Sequence, residues 1–511
     1  MQITQLLSRT EQLHGDATAT ICSDRKRSWS ELARNVRCIA AGLREAGAVP
    51  GDRIAIISQN SDHYIDLYFA VPWIGAVMVP LNTRWSVPEL ADCLDDCQPT
   101  FVLYDCSSAS IVPSLIEQCS SAIRKLDIVS LCRSSGTKAI CPPFRRKDDA
   151  MAGIFYTGGT TGRSKGVILS ERNLMANALT TALEFGYRAD TVYLHSAPMF
   201  HLGDGASTYA VSMMGGAHAI LQTFHPRDFL ATVQKHAVTH AMLAPTMIQS
   251  VLDDDAFACT DTQSLQRLIY GTSPMPPRLL EDALAALPGT GFVQGYGMTE
   301  LSPLATVLSP AEHLTSTRRL RSAGRPAYGV DVQVVGPEGI ELDAGDVGEI
   351  RVRGANVMQG YWRRPDETAA ALRDGWMHTG DCGYFDRDGF LYVVDRLKDM
   401  IITGGENVYS IEVENALTSH PAVAQCAVIG VPHRKWGEAV LAVVVPNEHQ
   451  PAIDQAALID HCRNIIAGYK LPKGICFASG SLPVNAAGKV LKSELKQIYE
   501  DYFANQREVA D

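Results

Sequence analysis

The residues with the most legible chemistry are the run Tyr156-Thr157-Gly158-Gly159-Thr160-Thr161-Gly162-Arg163-Ser164-Lys165-Gly166, flanked by apolar Gly153-Ile154-Phe155 and Val167-Ile168-Leu169. Its glycines allow positive φ and let backbone N–H groups approach an anion closely, while three threonine hydroxyls, Arg163 and Lys165 add donors. That is the chemistry of holding a polyphosphate, with ATP the expected guest. A Walker A loop is excluded: it needs Gly directly before Lys and Ser or Thr after it, whereas Ser164 precedes Lys165 and Gly166 follows. Gly and Thr alone would suit a surface turn equally well. The two cations and the crowd of hydroxyls tip the balance to phosphate.

Four more stretches carry residues able to act. In Gln294-Gly295-Tyr296-Gly297-Met298-Thr299-Glu300 a carboxylate follows an apolar strand, where it could take up Mg²⁺ through oxygen, or simply be a solvated loop acid. In Gly375-Trp376-Met377-His378-Thr379-Gly380-Asp381 a short acid beside Gly could accept both hydrogen bonds of a ribose diol, or form an Asx turn. Asp395-Arg396-Leu397-Lys398-Asp399 leads into Met400-Ile401-Ile402-Thr403-Gly404-Gly405-Glu406-Asn407, a charged stretch whose plain reading is a solvated linker. Near the C-terminus, Lys489 in Leu482-Pro483-Val484-Asn485-Ala486-Ala487-Gly488-Lys489-Val490 could neutralise charge developing at a phosphate, or be a solvated loop lysine.

The elements that must position these residues follow from apolar patterning. At 511 residues the chain exceeds one core, and 46% hydrophobic with 20% charged residues is an ordinary soluble composition. Leu32, Val36, Ile39, Ala40 and Leu43 share one helical face between Ser28 and Gly47. Apolar runs at Arg53 to Ser58, Phe101 to Tyr104, Leu126 to Leu131, Ala219 to Leu221, Leu268 to Tyr270 and Phe292 to Gln294 predict strands. Helical stretches at Asn173 to Leu183 and Pro277 to Leu287 alternate with them, predicting a layered α/β domain with largely parallel sheets. After Arg321 short alternating runs at Val330 to Val335, Gly348 to Arg353 and Tyr384 to Val394 predict a β subdomain with a hairpin. Beyond Asp395 the pattern becomes a small α+β domain, so the expected division is 1–395 and 396–511.

The formal charge of -11 argues against a nucleic-acid or general anionic-membrane binder, so any anion site is local. The N-terminus lacks a signal-peptide pattern, the run Tyr68 to Leu81 is too short to span a bilayer, and thirteen scattered cysteines without CxxC suit a reduced, cytoplasmic setting. Peripheral membrane contact and a homodimer are left open.

The five stretches, in this order from Tyr156 to Lys489, resemble the motifs of the adenylate-forming superfamily, in its acyl-CoA synthetase branch. The resemblance implies a large N-terminal α/β domain with a β subdomain and a small mobile α+β C-terminal domain. It implies that Thr157, Gly158, Gly159, Thr160, Thr161, Gly162 and Lys165 bind phosphates, that Tyr296 stacks on adenine beside Gly297, that Thr299 contacts phosphate and that Glu300 binds Mg²⁺. Asp381 and Arg396 would hold ribose, Lys398 would be the hinge, Gly404 and Gly405 would line the pantetheine passage with Trp436 near it, and Lys489 would be the adenylation lysine. Gly348 to Gly354 and Gly360-Tyr361-Trp362 also match and read as mostly structural. Gly158, Ser164 and Val484-Asn485 depart from the commonest pattern, where Ser, Pro and Arg-Thr are frequent.

The reaction implied has two steps: a carboxylic acid and MgATP give acyl-AMP and pyrophosphate, then coenzyme A takes the acyl group and expels AMP. His201 is expected to gate the site or contact acyl-AMP, with a plain loop histidine equally open; Gly203, Gly205, Ala206 and Gly271 are expected to leave width and Met275 to form an apolar wall. The first expectation for the acid is a medium- or long-chain fatty acid. The alternatives are an aryl acid of benzoate or cinnamate type and a ligase that loads a carrier protein.

Overall fold

The computed structural model describes residues 2–120, 122–134, 141–145, 147, 149–157, 164–273, 275–315, 318–447, 450–451, 453–478, 480–484 and 490–503. The chain divides into two compact units: Met1–Pro274 with Glu281–Val332 and Val352–Met377, and Met275–Leu280 with Gln333–Arg351 and His378–Asp511.

The first helix whose face was legible, Trp29–Glu45, starts where Ser28 and Glu31 cap each other: Glu31 N donates to Ser28 Oγ at 3.2 Å and Ser28 N to Glu31 Oε2 at 2.7 Å. Leu32, Val36, Ile39, Ala40 and Leu43 are all fully buried, as their spacing requires. The expected strand from Leu126 to Leu131 is corrected: a strand covers Arg124–Asp127 and a helix Ile128–Ser134. Asp127 Oδ1 accepts from Ser130 N at 2.6 Å, so the acid ends the strand by capping the helix, which apolar content alone did not reveal.

Among the described residues, the first unit holds two large sheets. A seven-stranded sheet runs Gly360–Tyr361, Lys165–Ser170, Met151–Thr157, Val77–Pro80, Arg53–Ile57, Phe101–Tyr104, Arg124–Asp127. A nine-stranded sheet runs Arg325–Pro326, Leu304–Leu308, Gly291–Gly297, Arg267–Gly271, His240–Leu243, Val192–His195, Ala217–Ile220, Thr18–Cys22, Arg25–Ser28. Their centres are parallel; antiparallel strands close both edges of the nine-stranded sheet and one edge of the seven-stranded sheet, whose other edge strand, Arg124–Asp127, is parallel to Phe101–Tyr104. Strand-rich, fully buried centres such as Ile54, Ala55, Ile56 and Ile57 explain why these runs read as continuous apolar segments.

A five-stranded sheet brings together Val330–Val335, Gly348–Gly354, Trp376–Phe385 and Leu372–Arg373, with Leu391–Arg396 beside Trp376–Phe385. The small α+β part pairs Glu406–Val408, Ile401–Thr403, Gly437–Pro446 and Val423–His433, with Gly474–Phe477 against Gly437–Pro446. Helices Ser410–Thr418 and Gln455–Arg463 pack Val413, Leu417, Leu458 and Cys462 onto Val428, Val440 and Val444 of this sheet. Among the described residues no helix is long and apolar enough to cross a membrane, and no described cysteine is in a disulfide.

Candidate active site

The strands on either side of the glycine-rich run pair with each other. Met151–Thr157 runs antiparallel to Lys165–Ser170, with Tyr156 opposite Gly166 and Thr157 opposite Lys165. Thr157 Oγ1 donates to Lys165 O at 3.4 Å, which ties the two ends of the loop together. Gly158, Gly159, Thr160, Thr161, Gly162 and Arg163 lie outside the described residues. The entry strand is anchored from beneath, because Tyr156 Oη donates to Asp96 Oδ2 at 2.7 Å and the Asp96 carbonyl accepts from Trp362 Nε1 at 3.0 Å. Burial, reinforced by the neighbouring Cys97 and Asp96, pushes the Tyr156 hydroxyl far above its usual range, so it stays a donor.

Glu300 sits in the short helical turn Thr299–Leu301, just after strand Gly291–Gly297, and only 6% of it is exposed. Its carboxylate accepts from Tyr361 Oη at 2.8 Å and its carbonyl from Met358 N at 2.8 Å. The ring of Tyr361 lies 5.2 Å from the Lys165 ammonium. Lys165 and Glu300, far apart in sequence, therefore flank one tyrosine. A cation for phosphate and a carboxylate oxygen for a hard cation in one unit fit MgATP. Among the described residues no group of three or more His, Cys, Asp or Glu stands ready to hold a metal; the one carboxylate suits Mg²⁺, which takes phosphate and water as its other ligands. Tyr296 lies before this turn, on strand Gly291–Gly297, opposite Thr306, with Gly297 exposed at the strand's end.

His201 caps helix Leu202–Met214 through its backbone: its carbonyl accepts from Gly205 N at 2.8 Å. Its Nε2 is buried and has no hydrogen-bond partner among the described residues. Burial, helped by the Arg84 cation, lowers its pKa to about 4, so the ring is neutral. The width expected from Gly205 and Gly271 needs correction. A methyl at Gly205 would meet Tyr68 Oη at 2.0 Å, and one at Gly271 would meet Gly295 O at 2.3 Å. These glycines make room for a buried tyrosine and a neighbouring strand, so protein takes up the space on the side where a Cβ would lie. Met275 is half-buried and belongs to the second unit.

In the second unit, Asp381 of strand Trp376–Phe385 stands opposite Arg396 of Leu391–Arg396, with Arg396 Nε 3.2 Å from Asp381 Oδ1. Asp381 is 8% exposed, and its N donates to Thr379 Oγ1 at 3.1 Å. Lys398 is held below the ordinary lysine range chiefly by burial, with Asp399 opposing and Arg396 and Lys496 adding to the effect. Gly404 and Gly405, at φ 62 and 87, form the two-residue turn between Ile401–Thr403 and Glu406–Val408, a conformation that favours glycine at both positions. Gly404 N donates to Trp436 O at 2.9 Å, and the Trp436 ring stacks on His433 at 4.2 Å with the Lys473 ammonium 5.1 Å away. The structure thus joins the glycine turn to a cationic aromatic face. Lys489 lies outside the described residues; Val484 and Val490, on either side of its segment, form a bridge.

Sequence reasoning passed over two contributors. Tyr361 read as structural, since its hydroxyl's partner is a residue 61 positions away. Asn356 was not singled out, although its Nδ2 donates to Leu301 O and Leu304 O, both at 2.8 Å, and fixes the turn that carries Glu300. A polar residue just before the Gly360-Tyr361-Trp362 motif was the only signal.

The family description "AMP-binding enzyme" matches residues 7–362, and "AMP-binding enzyme C-terminal domain" matches 412–489. The chain is similar to a feruloyl-CoA synthase of Amycolatopsis sp, 39% identical over 96% of this chain and 97% of that protein. It is also similar to a fatty acid–[acyl-carrier-protein] ligase of Streptomyces coeruleorubidus, 34% identical over 96% of each. Among solved structures, o-succinylbenzoate CoA synthetase from Bacillus subtilis in complex with its acyl-adenylate intermediate is similar with a TM-score of 0.87 and 32% identity, over 96% of this chain and 97% of that one.

Proposed function

The chain belongs to the AMP-binding enzyme family and is an AMP-forming acid–thiol ligase of the adenylate-forming superfamily; from that premise we propose that the acid it joins to coenzyme A is aromatic. Its nucleotide is ATP, with Mg²⁺ as the usual partner, and coenzyme A is its thiol. The observation that carries the aromatic reading is the near full-length similarity to a feruloyl-CoA synthase, supported by the o-succinylbenzoate enzyme. The medium- or long-chain fatty acid expected first from the sequence gives way to this alternative, and with it the lipid-metabolism setting.

In this reading Lys165 and the glycine loop hold the phosphates that leave, and Glu300 takes up Mg²⁺, which neutralises phosphate charge. Tyr296 and Thr299 place the adenine and a phosphate, Asp381 and Arg396 the ribose. Lys489 neutralises charge as the carboxylate meets the α-phosphate, and His201 offers its neutral ring nitrogen to the acyl-adenylate. Catalysis of this kind is positioning and charge stabilisation with little covalent work for the protein. Gly404, Gly405 and Trp436 then serve the thiol step, and a functional boundary near Lys398, with 1–395 and 396–511 as its two pieces, is part of the same proposal.

Acid-dependent ATP/pyrophosphate exchange over a panel of hydroxycinnamates, benzoates and fatty acids tests the reading. A hydroxycinnamate or benzoate should give the highest exchange, and CoA should convert it to the thioester. Preference for a fatty acid overturns it. The carrier-loading relative favours a second reading, which gains if AMP is released only with a phosphopantetheinyl carrier protein and not with CoA.

A further inference from the structure

Tyr361 stands between the two charged groups of the first unit's site. Its hydroxyl donates to Glu300 Oε1 at 2.8 Å and its ring lies 5.2 Å from Lys165 Nζ. The backbone holds it there from two sides. Gly360 and Tyr361 pair antiparallel with Ile168 and Val167, on the strand that begins at Lys165, and Trp362 N donates to Gly166 O at 2.7 Å. Just upstream, Met358 N donates to Glu300 O at 2.8 Å. Further back, Asn173 Nδ2 donates to the carbonyls of Ala355 and Val357 at 2.9 and 2.7 Å, and Ser302 Oγ donates to Asn356 O at 2.7 Å. One segment, 355–362, thus grips Glu300 at carbonyl and carboxylate while forming the edge strand beside Lys165.

We propose that Tyr361 is a positioning residue for MgATP, coupling the metal-binding carboxylate to the phosphate-binding lysine. Rotation of a carboxylate about its last bond is soft, and a phenolic donor on one oxygen selects the orientation in which the carboxylate meets the metal. A ring face near an ammonium restrains a flexible lysine without neutralising it, so the charge stays available to phosphate. The inference rests on the reading of Glu300 as the Mg²⁺ ligand, and the test separates the two.

The measurement is Mn²⁺ binding to the full-length protein with a non-hydrolysable ATP analogue, followed by electron paramagnetic resonance, beside thermal melting. Tyr361→Phe keeps the ring and removes the donor, and should weaken Mn²⁺ roughly 10- to 100-fold, the range for loss of a group that orients a metal ligand, with melting unchanged. Tyr361→Leu should weaken metal-free nucleotide binding as well, because Lys165 loses its ring. If Glu300→Gln binds Mn²⁺ as tightly as the parent, the reading of Glu300 fails. If Glu300→Gln loses Mn²⁺ but Tyr361→Phe keeps parental affinity, that reading stands and the role of Tyr361 is overturned. The double variant Glu300→Gln/Tyr361→Phe should bind no more weakly than Glu300→Gln, since the hydroxyl acts through Glu300; additive losses overturn the proposal whatever either variant does to stability.

Discussion

His201 Nε2 is a buried ring nitrogen with no hydrogen-bond partner among the described residues, which is costly unless something arrives to use it. The ordinary value for this ring is 6.5 and the folded value about 4, with burial the main cause. Between these values the unfolded chain binds more protons than the folded one. The contribution to stability is therefore fully present above 6.5 and is lost as pH falls towards 4. The ring resonances of His201 should accordingly show no titration between pH 8 and about 5.5 in NMR of histidine-labelled protein; an inflection near 6.5 would show the ring to be solvated. At this scale the sequence named the residue as a candidate, but nothing in Pro198-Met199-Phe200-His201 tells a buried ring from a loop one. Burial is set by Phe200, whose ring centroid is 4.6 Å away, and by residues distant in the chain.

The helix that begins after His201, Leu202–Met214, is locked by a buried polar chain. Tyr193 Oη donates to Asp204 Oδ1 at 3.0 Å, His195 Nδ1 meets Asp204 Oδ2 at 2.6 Å, His195 Nε2 meets His218 Nδ1 at 3.0 Å and His218 Nε2 meets Ser212 Oγ at 2.9 Å. Burial, with His195 adding to it, pushes His218 well below its usual value and keeps it neutral. Strands Val192–His195 and Ala217–Ile220 are paired neighbours, so the chain of bonds pins this helix to the nine-stranded sheet at both ends. Asp204→Ala removes one partner of a buried pair and should cost about 3–5 kcal/mol, read as a melting temperature several degrees lower. An unchanged melting temperature would mean that the network contributes no stability. Of these elements the sequence shows one strand, in the apolar run at Ala219 to Leu221, but not the polar chain: its members look like unrelated exposed residues until the strands pair.

At the scale of the whole chain, the proposed function assigns the two half-reactions to residues from different stretches: Lys165 and Glu300 before residue 301, Lys489 and the Gly404–Gly405 turn after residue 403. Lys489→Ala should therefore depress ATP/pyrophosphate exchange by orders of magnitude while leaving thioester formation from supplied acyl-AMP much less affected. Equal loss in both assays would remove the special place given to Lys489. The same division explains why order along the chain was so informative. The described parts of these stretches lie on or beside strand ends and turns, where glycine and short polar residues are locally required, so their type survives without tertiary context.

By itself, then, the sequence determined the elements and the class of chemistry. Apolar period specifies helix Trp29–Glu45, and apolar runs on either side of the glycine-rich stretch specify the paired strands Met151–Thr157 and Lys165–Ser170, because these depend on neighbours a few residues away. Tertiary structure alone decided what the glycines at 205 and 271 make room for, which pairs of charges meet, and that Tyr361 links Glu300 to Lys165. Those outcomes depend on strand register between segments far apart in the chain, and a single sequence carries no measure of that register.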